Sequence, residues 1–171
     1  MGKIPKTYLD FAENDYVFFR KALDNNIRGN ALASIGQNIC ERYLKHIVSE
    51  YSEPENKEEE SDKEHILRTH SLLKLIRYIQ DDMGIKVPEE IEDELERING
   101  YYFTTRYPGT ESFFASDRDI EKVAAAVEST RDLTYEVCRE MEQEVEQEIE
   151  PELDEKETQN INDIDYDDLE L

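Results

Sequence analysis

The stretch from Leu32 to Tyr51 reads LASIGQNICERYLKHIVSEY. Its apolar residues Leu32, Ile35, Ile39, Tyr43, Ile47 and Tyr51 recur every three or four positions, the period of one helical face rather than of a strand. A stripe of roughly five turns is stable in water only when other elements cover it. Ala33 and Gly36 interrupt it with small side chains, which predicts that a neighbouring helix approaches closely there. The reading of this stretch sets the fold class: helix packed against helix.

The same period recurs to either side. Before it, Thr7 with Asp10 three residues on predicts a capped helix start. Tyr8, Phe11, Phe19 and Leu23 form the stripe of that helix, which Asp24-Asn25-Asn26 ends. After it, Ser52-Glu53-Pro54 stops the helix, and residues 53–63 are acidic and read as a solvated loop. Ser61-Asp62-Lys63-Glu64 is a capping-box pattern that predicts a third helix through Ile66, Leu72, Ile76, Ile79 and Met83, with Gly84 as a left-handed cap. Pro88 predicts the first turn of a fourth, with Ile91, Leu95, Ile98 and Tyr102 on its face. Pro108-Gly109 marks a loop, and Ser116 with Asp119 caps a fifth helix carrying Ile120, Val123, Val127, Thr130, Thr134, Val137 and Met141. Strand-like alternation is absent. The expected fold is all-α, an antiparallel bundle of about five helices over residues 1–150, followed by a disordered acidic C-terminal tail over 151–171.

Charge narrows the function. The 171 residues hold 20 Lys and Arg against 43 Asp and Glu, a net charge of -23. Arg139 to Leu171 contains 15 acidic and 2 basic residues, and Glu50 to Glu64 contains 8 and 2, so the remainder is close to balance. That is not the clustered cation density of a non-specific nucleic-acid or membrane-surface binder, although a local basic site on the body is compatible with it. Cys40 and Cys138 form no CxxC and sit beside apolar helical positions, which predicts buried reduced thiols. No apolar run approaches the ~18 residues of a membrane span, so the expectation is a cytoplasmic protein.

The residues that carry chemistry are few. There is no glycine-rich phosphate loop, the Cys and His residues are too scattered for zinc, and no His has the Glu three positions earlier that a di-iron bundle needs. No metal and no cofactor are expected. Three clusters stand out. Gln37, Glu41 and Lys45 are spaced by four on the second helix and share a face, either as a surface ladder or as part of a site. His70 lies in His70-Ser71-Leu72. Tyr101-Tyr102-Phe103-Thr104-Thr105-Arg106-Tyr107-Pro108 sets aromatic rings beside a fixed cation; such a group can stack a base and pair a phosphate, or it can be a structural corner.

In this order the three clusters resemble the HEPN family. Its pattern has a Gln-x-x-x-Glu-x-x-Leu-Lys helix, then His-x-Leu-x-x-Leu, then Tyr-x-x-Thr-Arg-Tyr-Pro before a last helix. These correspond here to Gln37, Glu41, Leu44 and Lys45, to His70, Leu72 and Leu75, and to Tyr102, Thr105, Arg106, Tyr107 and Pro108. The resemblance covers roughly Tyr8 to Val137, with the Thr-Arg-Tyr-Pro stretch as its most specific part. It implies a bundle of about five helices that commonly dimerises. It also implies one of two functions: a metal-independent RNase using Arg-x(4–6)-His, or a module that binds a nucleotide or a partner nucleotidyltransferase, often in toxin–antitoxin-like pairs. Arg42 and His46 have only three residues between them, and Arg68 and His70 only one, so the RNase spacing is not met.

The leading expectation is therefore a non-catalytic HEPN-type homodimer that binds a nucleotidyltransferase partner or a nucleotide. Arg106, Tyr107, Tyr102, His70 and Lys45 are its ligand-binding candidates, and the acidic tail would engage a partner's basic face or mask the pocket intramolecularly. The alternative is an RNase formed across the dimer, with Arg42 and His46 as the pair acting on RNA. A third reading is a purely structural interaction protein in which all three clusters serve packing.

Overall fold

The computed structural model describes residues 6–162, with side chains as far as Gln143. Two compact units divide the chain, residues 1–135 and residues 136–171. The first contains α1 (Tyr8–Asp24), α2 (Asn30–Tyr51), α3 (Lys57–Ile66), α4 (Leu72–Arg77) continuing into a π-helical turn at Tyr78–Asp82, α5 (Glu89–Ile98) and α6 (Tyr101–Thr104). It also holds the start of α7 (Asp117–Asn162), and the second unit holds the rest of that helix. The described residues contain no strand, and the fold is an all-α antiparallel bundle, as the periodicity requires.

The Thr7–Asp10 capping box forms as read: the Thr7 hydroxyl accepts the Asp10 N–H, and the Asp10 carboxylate accepts the Thr7 N–H. Ser116 and Asp119 make the matching reciprocal pair at the start of α7. Gly84 takes φ +69, the left-handed conformation expected of it.

Helix α2 is the centre of the first unit. Leu32, Ile39, Tyr43, Leu44 and Ile47 on it are buried, and Phe19, Leu72, Leu75, Ile76, Leu95, Ile120 and Val123 are buried with them. Gly36 permits the close crossing anticipated for it, since a Cβ there would collide with Val123 Cγ1 and press on Phe19 Cε2 at 3.1 Å. Polar clamps fix the helices around this core. The Glu13 carboxylate accepts from the Tyr43 hydroxyl at 2.7 Å and from Arg131 Nε at 2.8 Å. Burial pushes the Glu13 carboxyl up, but the hydrogen bonds from Arg131 and Tyr43 outweigh it and hold the group below its ordinary range. Glu128 accepts from Tyr16 and Arg20, and Glu94 accepts from the Ser129 hydroxyl at 2.5 Å. Cys40 is a free buried thiol, pushed up to about 12 by its burial, and Cys138 is buried too.

Three local expectations are corrected. The acidic stretch at 53–63 is not a loop throughout, because Asn56 caps α3 by accepting from Glu58 N and Glu59 N. Three acidic residues in its first turn suit the positive end of the helix, and Lys63 donates to the Ser49 and Ser52 carbonyls at the end of α2. The stripe from Ile66 to Met83 is not one helix. It breaks at residues 67–71, where Gln37 captures the His70 carbonyl, Ser71 caps α4 and Asn99 Oδ1 accepts the Leu72 N–H. The fourth stripe also breaks, between Ile98 and Tyr102, because Asn99 is extended and Gly100 takes φ +97.

The tail expected over 151–171 lies in part outside the described residues. The backbone is helical through Pro151 to Asn162, and residues 163–171 are not described. Among the described residues no helix is long and apolar enough to cross a membrane.

Candidate functional site

The site is built on the Gln37–Glu41–Lys45 row of α2. These three side chains are buried, so the row is not a solvent-facing ladder. The Gln37 amide joins two segments that α2 does not adjoin in sequence. Its Nε2 donates to the His70 carbonyl at 3.1 Å, and its Oε1 accepts the Tyr102 N–H at 2.5 Å. That second bond satisfies one of the N–H groups left open at the start of α6.

One turn further along, Glu41 has a side chain only 4% exposed, and its two oxygens serve different partners. Lys45 Nζ lies 2.6 Å from Oε1, with the Lys45 side chain 7% exposed. His70 Nδ1 lies 3.1 Å from Oε2. A carboxylate only accepts, so Nδ1 carries the hydrogen, and Nε2 is the acceptor of the neutral ring. A buried charge of this kind is tolerable because both oxygens are paired. The His70 side chain itself is 44% exposed.

The His70 ring lies parallel to Tyr102, with centroids 4.7 Å apart at an angle of 6°. Phe103 meets both rings edge-on, at 5.8 Å from His70 and 5.0 Å from Tyr102. The Arg106 guanidinium rests over the Tyr102 ring, 4.7 Å from its centroid. It forms no ion pair with a carboxylate among the described residues, in a chain with 43 acidic side chains.

Arg106 also lines an open cavity of about 260 Å³, with Tyr107, Pro108, Phe113 and Phe114 as its apolar wall. Asn30 shapes its floor. The Asn30 amide donates to the Thr105 and Phe113 carbonyls at 3.0 and 2.8 Å and accepts the Ala115 N–H at 2.7 Å. These bonds hold the 105–115 loop against the first turn of α2, because the Pro108-Gly109 stretch has no helix ladder of its own.

The structure thus brings Lys45, His70, Tyr102 and Arg106 into one contiguous group, with Tyr107 joined through Phe103 at 6.4 Å. Lys45 faces Glu41 inside this group and not the cavity. Arg42 and His46 are placed elsewhere. Arg42 pairs with Asp15 and lies 5.8 Å from the Phe11 ring centroid. His46 is 6% exposed, its Nδ1 has no hydrogen-bond partner among the described residues, and its ring meets Tyr51 edge-on at 6.2 Å. Burial presses the His46 imidazole below its ordinary value, against the opposing pull of Glu50 and Asp10. Asn30 and Asn99 are site-shaping residues that the sequence reading passed over. Their position beside a glycine, at Gly29 and Gly100, was the available sign of a turn. No group of three His, Cys, Asp or Glu side chains among the described residues is arranged to hold a metal ion.

The family model of the HEPN domain matches residues 60–141, which include His70, Tyr102, Arg106 and Tyr107. No curated protein and no solved structure gives a match.

Proposed function

From the HEPN domain matched at residues 60–141, we propose that the chain is a non-catalytic, dimeric HEPN-type module that binds a nucleotide at Arg106 and works with a partner nucleotidyltransferase. The setting is regulatory or toxin–antitoxin-like. The observation that carries the ligand half of this reading is Arg106, a guanidinium without a carboxylate partner among the described residues, resting over the ring of Tyr102 in the Tyr102–His70 stack and lining a cavity with an aromatic wall. A phosphate takes the position beside Arg106, where the planar fork of the guanidinium offers two parallel donors. The ring of the ligand stacks on Tyr107, and His70 Nε2 accepts a hydrogen bond from it.

Gln37, Glu41 and Lys45 act as positioning residues. Gln37 sets the distance between the His70 linker and α6, Glu41 fixes the His70 ring, and Lys45 balances the charge of Glu41. The cleavage reading at Arg42 and His46 gains no support from their surroundings, since an RNA phosphate would have to displace Asp15 and reach a buried imidazole.

Titration of the full chain and its Arg106→Gln variant with nucleotides, followed by calorimetry, tests the reading. The variant should bind about 10–100-fold more weakly, the loss expected for a charge-assisted hydrogen bond, and melt within a few degrees of the parent. A variant that melts early and binds unchanged would return Arg106 to the role of a structural corner.

A further inference from the structure

Resting on the nucleotide-binding reading, we infer that the ligand of the Arg106 cavity is a nucleoside carrying a single phosphate monoester and not a di- or triphosphate. The donor inventory of the lining points to this. The Thr104 hydroxyl donates to the Gly100 carbonyl, and the Thr105 hydroxyl donates to the Tyr101 carbonyl. The Ser112 hydroxyl donates to the Gly109 carbonyl, and both Asn30 amide hydrogens go to loop carbonyls. Among side-chain donors, that leaves the Arg106 guanidinium and the Tyr107 hydroxyl to face a ligand. One cation matches one phosphate group.

Size and charge agree. A cavity of about 260 Å³ falls just below the usual range for small-molecule sites, roughly 300–1,000 Å³, so it holds one nucleotide unit without a polyphosphate chain. No lining residue is acidic, which leaves no carboxylate to hold the magnesium that accompanies a triphosphate. No lining residue other than Arg106 is a cation, so each added phosphate would go uncompensated there. The wall supplies the other half of the recognition. Phe114 is 95% exposed and lines the cavity, an apolar ring left open to solvent and placed to cover a base.

A phosphate monoester on a nucleoside is presented either by a free mononucleotide or by the phosphorylated end of an oligonucleotide. The test is isothermal titration of the full chain with adenosine, inorganic phosphate, AMP, ADP and ATP, with and without magnesium, and with a 5′-phosphorylated tetranucleotide. AMP should bind at least about fivefold more tightly than ATP under both conditions, and adenosine or phosphate alone at least about tenfold more weakly than AMP. Phe114→Ala should weaken AMP by about fivefold or more with an unchanged melting temperature. Tetranucleotide binding within about threefold of AMP supports the inference with a chain end as the source, and weaker binding supports it with the free mononucleotide. ATP binding as tightly as AMP overturns the single-phosphate inference and leaves the nucleotide reading standing. Inorganic phosphate binding as tightly as AMP overturns it as well. Absence of binding by every nucleotide overturns both.

Discussion

Glu41 joins Lys45 to His70 inside the bundle, and its removal has a defined cost. In Glu41→Gln the Lys45 ammonium stays buried without a counter-charge, which destabilises the fold by about 3 kcal/mol on the scale of broken buried pairs. Urea denaturation reads this directly, and the double variant Glu41→Leu with Lys45→Met should regain much of the loss. His46 gives a second residue-scale prediction. Its imidazole is depressed below 6.5 in the folded chain, so the unfolded chain takes up a proton first as pH falls. The stability tied to a neutral His46 is therefore complete above about pH 6.5 and is lost as pH falls through the depressed value. His46→Leu should flatten the slope of stability between pH 7 and 5, and an unchanged slope would remove His46 as its source. At this scale the sequence marked the row on α2 but not its joints. Spacing by four placed Gln37, Glu41 and Lys45 on one face, yet a buried polar row and a solvent-facing ladder have the same period. Only the cover provided by the His70 linker and α6 distinguishes them.

Among the elements, α2 was the most legible, because its stripe and its small residues reflect a helix covered on several sides. Gly36 makes the crossing with α7 testable. Gly36→Ala should destabilise by about 1–3 kcal/mol through overpacking against Val123 and Phe19, although alanine is the better helix former. A stabilised variant would show that the two helices can separate without loss. The boundaries of α3, α4 and α6 were less legible for a physical reason. The periodic pattern runs through the breaks at residues 67–71 and at Asn99-Gly100, and the breaks exist because distant amides, Gln37 and Asn99, capture the freed backbone groups. A hydrogen bond between residues 27 or 33 positions apart leaves no mark on local spacing. The capping-box pattern read at Ser61–Glu64 lies inside α3, which Asn56 caps, because an acidic, apolar-poor stretch resembles a loop when no stripe marks its buried side.

For the whole molecule, the charge distribution argues for a specific acceptor and against a general polyanion binder. A chain at -23 repels extended nucleic acid, and the Arg106 cavity, with no acidic residue in its lining, carries a single guanidinium. The same acidity suits a partner with a basic face. Capture from the host lysate should therefore recover a nucleotidyltransferase with the full chain and lose it with a copy ending at Glu150, while recovery that does not depend on the tail would place the partner surface on the bundle. The fold class was readable because it rests on helical spacing, and so was the shared face of Gln37, Glu41 and Lys45. The cavity was not, since it forms where the 105–115 loop folds back on Asn30. Nucleotide binding at Arg106 is read out by a nuclear magnetic resonance titration of the full chain with AMP, following the Arg Nε–Hε and aromatic side-chain signals. Arg106, Tyr107 and Phe114 should shift together while Arg42 and His46 hold still. Movement of Arg42 and His46 with a silent Arg106 would contradict binding at Arg106.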